Sequence, residues 1–166
     1  MAESMNSALF KHLSQYAKYH QDRRNVATHF MGIPMIVIAV AILLSRPSLL
    51  LADVAITPAL VLVVFCTIFY VRLHLLLGLF MGALLLVAVW LGIAAAQLPT
   101  MQWLLLGVGL FAVGWLLQFI GHYFEGKKPA FMDDMRGLII GPLFVVVEAI
   151  LLLGFKSDWH QKINQP

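Results

Sequence analysis

Six histidines, His12, His20, His29, His74, His122 and His160, are scattered through a chain that has few other polar side chains. Two of them bracket the charged stretch "YHQDRRNVATHF" at residues 19–30, and a third lies in "QFIGHYFEGKKPA" at residues 118–130. Neutral imidazole is a ready ligand for iron or zinc. A cluster lacking cysteine suits non-haem iron slightly better than structural zinc, which favours thiolates. Cys66 is alone within an apolar run, so neither a disulfide nor a thiolate metal site is expected. His20 and His29 are nine residues apart, about 180° around a continuous helix. They can face one ion only if the chain bends between them. Asp22 and Asn25 are capping residue types and supply that bend, with a new helix expected to start at Val26.

The elements that must position these rings are membrane spans. Of 166 residues, 61% are hydrophobic and 11% charged, and the mean hydropathy is +0.90. Such values fit a small multi-span membrane protein better than a soluble domain. Five apolar stretches, roughly 26–45, 49–70, 74–96, 101–121 and 138–155, are each long enough or nearly so to cross a bilayer. Pro34 and Pro58 are expected inside spans as tolerated kinks. The short links "SRPS" and "QLPT" make neighbouring spans antiparallel. The longest link, "HYFEGKKPAFMDDMRG", joins the fourth span to the fifth.

Ahead of the spans, Met5, Leu9, Leu13, Tyr16 and His20 recur at intervals of three or four, opposite Ser7, Lys11, Ser14 and Lys18. This pattern predicts a short amphipathic helix lying in the membrane interface or packed on a partner. The expected fold is all-α, a polytopic membrane helical bundle of about five transmembrane helices preceded by that interfacial helix. It forms one domain, with the helix in 1–24, the bundle in 26–155 and a tail in 156–166. The first 25 residues do not read as a cleavable signal, so the first span is expected to direct insertion.

With the N-terminus in the cytoplasm, that side receives Lys11, Lys18, Arg23, Arg24, Arg72, Lys127, Lys128 and Arg136. The far side receives Arg46, Lys156 and Lys162. The bias follows the positive-inside rule, and the modest net charge of +3 gives no reason to expect nucleic acid as a partner. This topology gathers His20, His29, His74 and His122 at one membrane level. His20, His29 and His122 are the expected ligands, His74 a possible fourth; His12 and His160 read as interfacial anchors.

Gln118, His122 and Glu125 share one helix face if the fourth span runs on through Phe124. Asn25, Gln118 and Glu125 are therefore candidates to hydrogen-bond and orient the ligand rings. Glu148 falls about mid-way along "LIIGPLFVVVEAILLLGF", where a carboxylate facing lipid would cost several kcal/mol. It must face the bundle interior, be protonated or be paired, as a structural hydrogen bond between spans or as a metal ligand, a base or a proton carrier. Arg23, Arg24, Lys127 and Lys128 form a basic rim that could steer a fatty-acid carboxylate to the metal. The HxxxH and HxxHH boxes of di-iron desaturases are missing. A zinc-dependent membrane lipid hydrolase and a non-catalytic haem- or lipid-binding membrane protein remain open as alternatives.

The blocks "YAKYHQDRRNVATHFMGIP", "GWLLQFIGHYFEGKKPAFMDD" and "GPLFVVVE", in this order, resemble the small membrane 2-hydroxy fatty acid dioxygenases. The family has a fungal endoplasmic-reticulum member and bacterial relatives. The resemblance implies an Fe(2+)-dependent α-oxidation, in which dioxygen and a 2-hydroxy long-chain fatty acid yield a fatty acid one carbon shorter. It places the family's histidines at His20, His29 and His122, its late-span glutamate at Glu148 and its "FE…PA" element at Glu125 and Pro129–Ala130. His74 matches no family motif. Glu148 or Glu125 would then remove the 2-hydroxyl proton or orient a ligand. A bacterial inner membrane is the expected location, or the endoplasmic reticulum in a eukaryote, with the metal site on the cytoplasmic side.

Overall fold

A computed structural model describes residues 2–51, 54–155 and 157–164. Of the residues named above, Lys156 and the side chains of Met5, Ser7 and His160 lie outside the described ones. The elements are α1 (Ala2–Ala17), α2 (Arg23–Ser45), β1 (Leu49–Leu51), β2 (Val54–Ile56), α3 (Pro58–Leu73) and α4 (Leu75–Ala96). They continue with α5 (Thr100–Glu125), a single 3₁₀ turn at Ala130–Met132, α6 (Gly137–Leu152) and α7 (Ser157–Asn164). Two compact units result, one from residues 34–115 and the other from residues up to Ile33 together with those from Leu116 onward.

Helices α2, α4 and α5, of 23, 22 and 26 residues, are long and apolar enough to cross a membrane; α3 and α6 are shorter apolar helices. Large apolar side chains stand exposed along α3, α4 and α5, with Trp90 and Leu105 each 67% accessible. In water this surface would be an aggregation hazard; in hydrocarbon it is the natural exterior. The chain is a helical membrane protein.

In the 34–115 unit, α3 and α4 form a tight hairpin. The second apolar stretch does not start as a helix at residue 49. Leu49–Leu51 and Val54–Ile56 instead pair as two short antiparallel strands, with Leu49 opposite Ile56. The cause is Pro58, which lacks the N–H a helix interior needs and so sits at the first helical position. Thr57 caps α3, its hydroxyl accepting from the Leu60 N–H at 3.2 Å, a contribution of about 1 kcal/mol. Pro58 thus starts a helix rather than kinking one, whereas Pro34 does fall inside α2. Further along this unit, the Trp103 indole N–H donates to the Ile42 carbonyl at 2.9 Å, tying α5 to α2.

The other unit carries the polar residues of interest. Leu9 and Leu13 of α1 are fully buried, and α1 packs on α6 and α7. The apolar stripe predicted from the sequence is therefore satisfied by partner helices instead of lipid, contributing roughly 1.5–3 kcal/mol for each leucine. Helix α7 closes over α1. The Phe10 and Trp159 rings meet edge to face at 5.3 Å, and the Lys162 ammonium lies 5.4 Å from the Phe10 ring centre.

This packing corrects the charge-based placement of Lys162 across the bilayer from α1, because the hydrocarbon alone is about 30 Å thick. A few basic residues in short segments are a weaker guide than two amphipathic helices that bury each other's apolar faces. Single cysteines at the exposed positions Lys11 and Lys162, in a Cys66→Ser background, are accordingly expected to react with a membrane-impermeant maleimide from the same side of sealed vesicles. Labelling from opposite sides would contradict the packing.

Candidate metal centre

The bend anticipated at Asp22–Asn25, between His20 and His29, falls slightly earlier, at residues 18–22, and α2 begins at Arg23, three residues before Val26. Asp22 is the cap, its carboxylate accepting from the Arg24 N–H at 2.8 Å. The Arg24 guanidinium bonds the same carboxylate at 2.8 Å and holds it down to about 2, with the Arg24 N–H assisting. Asn25 therefore lies in the first turn and is not a cap. Its side-chain amide donates to the Tyr19 carbonyl at 2.9 Å and to Glu125 at 3.1 Å.

Glu125 completes the corner. The α5 helix does run on past Phe124, to Glu125 itself, and ends at Gly126, whose φ of +67° suits glycine. The Glu125 side chain is only 4% exposed. Its carboxylate accepts from the Gln21 N–H at 3.0 Å, the Asp22 N–H at 2.8 Å and the Asn25 amide. These are the donors left unpaired where the chain turns between α1 and α2. Glu125 thus faces the backbone between two histidines, with the Lys127 ammonium 3.9 Å away.

His20, at the bend, and His29, in the second turn of α2, are both buried, and so is His122 near the end of α5. The ring Nδ1 of His20 lies 2.8 Å from the Tyr16 carbonyl, and Nδ1 of His29 lies 2.9 Å from the Asn25 carbonyl. A carbonyl can only accept, so both Nδ1 atoms carry the proton and both Nε2 atoms are free to ligate. Those two Nε2 atoms face each other at 2.9 Å. Burial pushes His20 down to about 4, although the Tyr16 carbonyl opposes this. At neutral pH its Nε2 therefore presents a lone pair. Two lone pairs at that distance repel unless a cation lies between them. Neighbouring ligands at right angles on an ion with metal–nitrogen bonds of about 2.1 Å are roughly 3.0 Å apart.

The third ring closes the group. His122 leaves its Nδ1 buried with no partner. Its ring centre is 4.9 Å from that of His20 and 5.0 Å from that of His29. One nitrogen from each of the three rings lies within 4.8 Å of the others. The orphaned nitrogen, the facing lone pairs and the neutral donor set all fit a divalent cation. The group could bind a metal.

Two aromatic residues that the sequence reading did not assign to the site hold His20 in place. The Tyr16 ring stacks on it at 4.1 Å and 5°, and Phe144 of α6 tilts against it at 5.4 Å. Tyr16 was visible in the sequence as part of the apolar stripe, one turn before His20. Nothing in "GPLFVVVE" marked Phe144.

Other candidates are placed elsewhere. His74 is not in the ring group: it stands at the α3–α4 corner, where Nδ1 accepts from the Leu77 N–H at 3.2 Å and caps α4. That lone pair is occupied in starting a helix. Glu148 is half-buried on α6, one turn beyond Phe144, and is not one of the ligand atoms that meet. Gln118, one turn before His122, is buried and does not bond the ring; its amide nitrogen has no partner.

Within the basic rim, Arg24 is held by Asp22 and lies over the Phe124 ring. The Lys127 ammonium donates to the Lys18 carbonyl at 2.7 Å. Lys128 pairs with Asp133, which Lys128 and then the Tyr19 hydroxyl hold below the usual carboxylate range. Arg23 is exposed and has no ion pair among the described residues.

Fold and centre together define a small helical membrane protein with a buried three-histidine group beside a polar corner. The Mpo1-like family model, described as 2-hydroxy-palmitic acid dioxygenase Mpo1-like, matches residues 6–152, and the chain belongs to that family. It is 34% identical over 145 residues to the 2-hydroxy-palmitic acid dioxygenase MPO1 of Saccharomyces cerevisiae, covering 86% of this chain and 80% of that protein. No solved structure matches it.

Proposed function

We propose that this protein is an Fe(II)-dependent dioxygenase that converts a 2-hydroxy long-chain fatty acid into the fatty acid one carbon shorter. The observation that carries the reading is that three buried histidine rings bring one nitrogen each within 4.8 Å of one another. The activity in the name of the yeast relative supports it. The reaction balances without an external reductant: R–CHOH–COOH + O₂ → R–COOH + CO₂ + H₂O. The C1–C2 bond breaks, the acid gives up four electrons, and dioxygen takes them.

His20, His29 and His122 would hold Fe(II), which supplies the one-electron chemistry that dioxygen requires. Three neutral ligands leave the site cationic, favouring an anionic acid whose carboxylate and 2-hydroxyl oxygens point the same way. The acyl chain extends from C2 and enters sideways from the lipid. Arg23, the rim cation with no ion pair among the described residues, guides the carboxylate. Arg24, Lys127 and Lys128 shape the corner through their own contacts. Glu125, filled with N–H donors, positions His20 and His29, so the task of holding the 2-hydroxyl proton falls to Glu148.

The site lies on the cytoplasmic side of a bacterial inner membrane, or of the endoplasmic reticulum in a eukaryotic host. Packing α7 on α1 adds Lys162 to the basic residues on that side and strengthens the bias. Protein purified without oxygen, loaded with Fe(II) and given 2-hydroxypalmitate and air is expected to form pentadecanoic acid, read by mass. Formation of a hydrolysis product from a lipid amide with Zn(II) loaded, and no shortened acid with Fe(II), would overturn the reading.

A further inference from the structure

A buried amide stands unpaired one turn from the metal centre. The Gln118 side chain is within a residue that is 6% exposed, and its Nε2 has no hydrogen-bond partner. An amide donor in a membrane helix ordinarily finds an acceptor, because leaving it unmade forfeits the hydrogen bonds it had in water. The obvious local acceptor does not serve. His122 is on the same helix face at i+4, yet its Nδ1 is itself an orphan. Two unpartnered polar atoms therefore lie one above the other on the face of α5 that also carries Gly121 and Glu125. Gly121 brings that face close to Asn25 and Thr28 of α2; a Cβ there would press on the Asn25 and Thr28 oxygens. The face is thus turned to the interior of the bundle.

We infer that Gln118 is a substrate-recognition residue, its amide donating to the 2-hydroxyl oxygen of the bound acid and selecting 2-hydroxy acids over plain fatty acids. The inference rests on the proposed reaction. Its geometric basis is depth. Gln118 precedes His122 by four residues, about 6 Å towards the middle of the α5 span. An acid chelated through its head, with the chain directed into hydrocarbon, places the carboxylate outward and C2 inward. The donor deeper than the ligand ring is then on the C2 side, while Arg23 is on the carboxylate side. A site built to bond a hydroxyl discriminates strongly against the analogue that lacks it, because the donor is then left unpaired.

The test uses Gln118→Met, close in volume and unable to donate, in the full-length protein loaded with Zn(II) so that no turnover occurs. Binding of 2-hydroxypalmitate and of palmitate is measured by equilibrium dialysis in detergent, together with the thermal midpoint without ligand. The expected result is about a tenfold loss of affinity for 2-hydroxypalmitate, unchanged palmitate affinity, unchanged zinc content and a thermal midpoint that is equal or higher. A structural role would give the reverse, a lower midpoint with both acids affected alike, and would overturn the inference. Equal affinity of wild type and variant for 2-hydroxypalmitate would also overturn it. If the wild-type protein itself prefers neither acid, the proposed function fails first, and that outcome is distinguishable because it does not involve the variant.

Discussion

His29→Ala is expected to abolish formation of the shortened acid and to weaken metal binding by more than about 100-fold, while the protein still inserts and purifies as a helical bundle. Losing a partner of a metal ligand already costs about 10–100-fold, and the proposal makes His29 a ligand itself. Its Nε2 faces His20 Nε2 at 2.9 Å, and among the described residues His122 is the only other member of the group. The helix survives because its stability comes from the apolar run after Gly32 and from the corner held by Asp22 and Glu125. His20→Ala and His122→Ala should behave alike. His74→Ala supplies the contrast. Its ring caps α4, so removal costs about 1 kcal/mol of stability and should leave metal content and product yield unchanged. Loss of metal in the His74 variant would mean that the centre extends beyond the three rings.

Glu125→Gln should damage the centre nearly as much as Glu125→Ala, although glutamine has the same shape. All the hydrogen-bonding groups that meet this carboxylate are donors: two backbone N–H groups and the Asn25 amide. Glutamine would turn one –NH₂ towards them, donor against donor. The corner would lose charge-assisted bonds worth about 1.5–3 kcal/mol each before compensation by water. Because this corner sets the relative direction of His20 and His29, both substitutions are expected to lower metal affinity and the thermal midpoint together. The alternative, a carboxylate acting only as a base, predicts that Glu125→Gln keeps its metal and its midpoint and loses turnover alone. Metal content and melting measured on the same preparation distinguish the two.

The helical class was legible because apolar runs near twenty residues report directly on the bilayer. The bend between His20 and His29 was legible from ring direction alone. Residues 49–51 and 54–56 were misread for a local reason: Leu, Val and Ile fit a short strand and a span equally well, and only the starting role of Pro58 decides between them. The placement of Lys162 failed because charge counting carries no information about α7 packing on α1.

At the site, the three ring positions could be anticipated from residue type and spacing. The group that Glu125 serves could not, since its partners at Gln21 and Asp22 are backbone N–H groups about a hundred residues away and have no sequence signature. Phe144 was equally hidden, one apolar residue among many on α6. The mismatch between Gln118 and His122 also needed coordinates, because i and i+4 spacing predicts a shared face but not a bond.

The central claim is that His20, His29 and His122 together hold one ferrous ion. Equilibrium dialysis of Fe(II) under strict exclusion of oxygen, on the wild-type protein and on each single alanine variant, tests it most directly. The account predicts one ion per chain for the wild type and loss of that binding in all three variants. Stoichiometric iron at wild-type affinity in any one of them would contradict it.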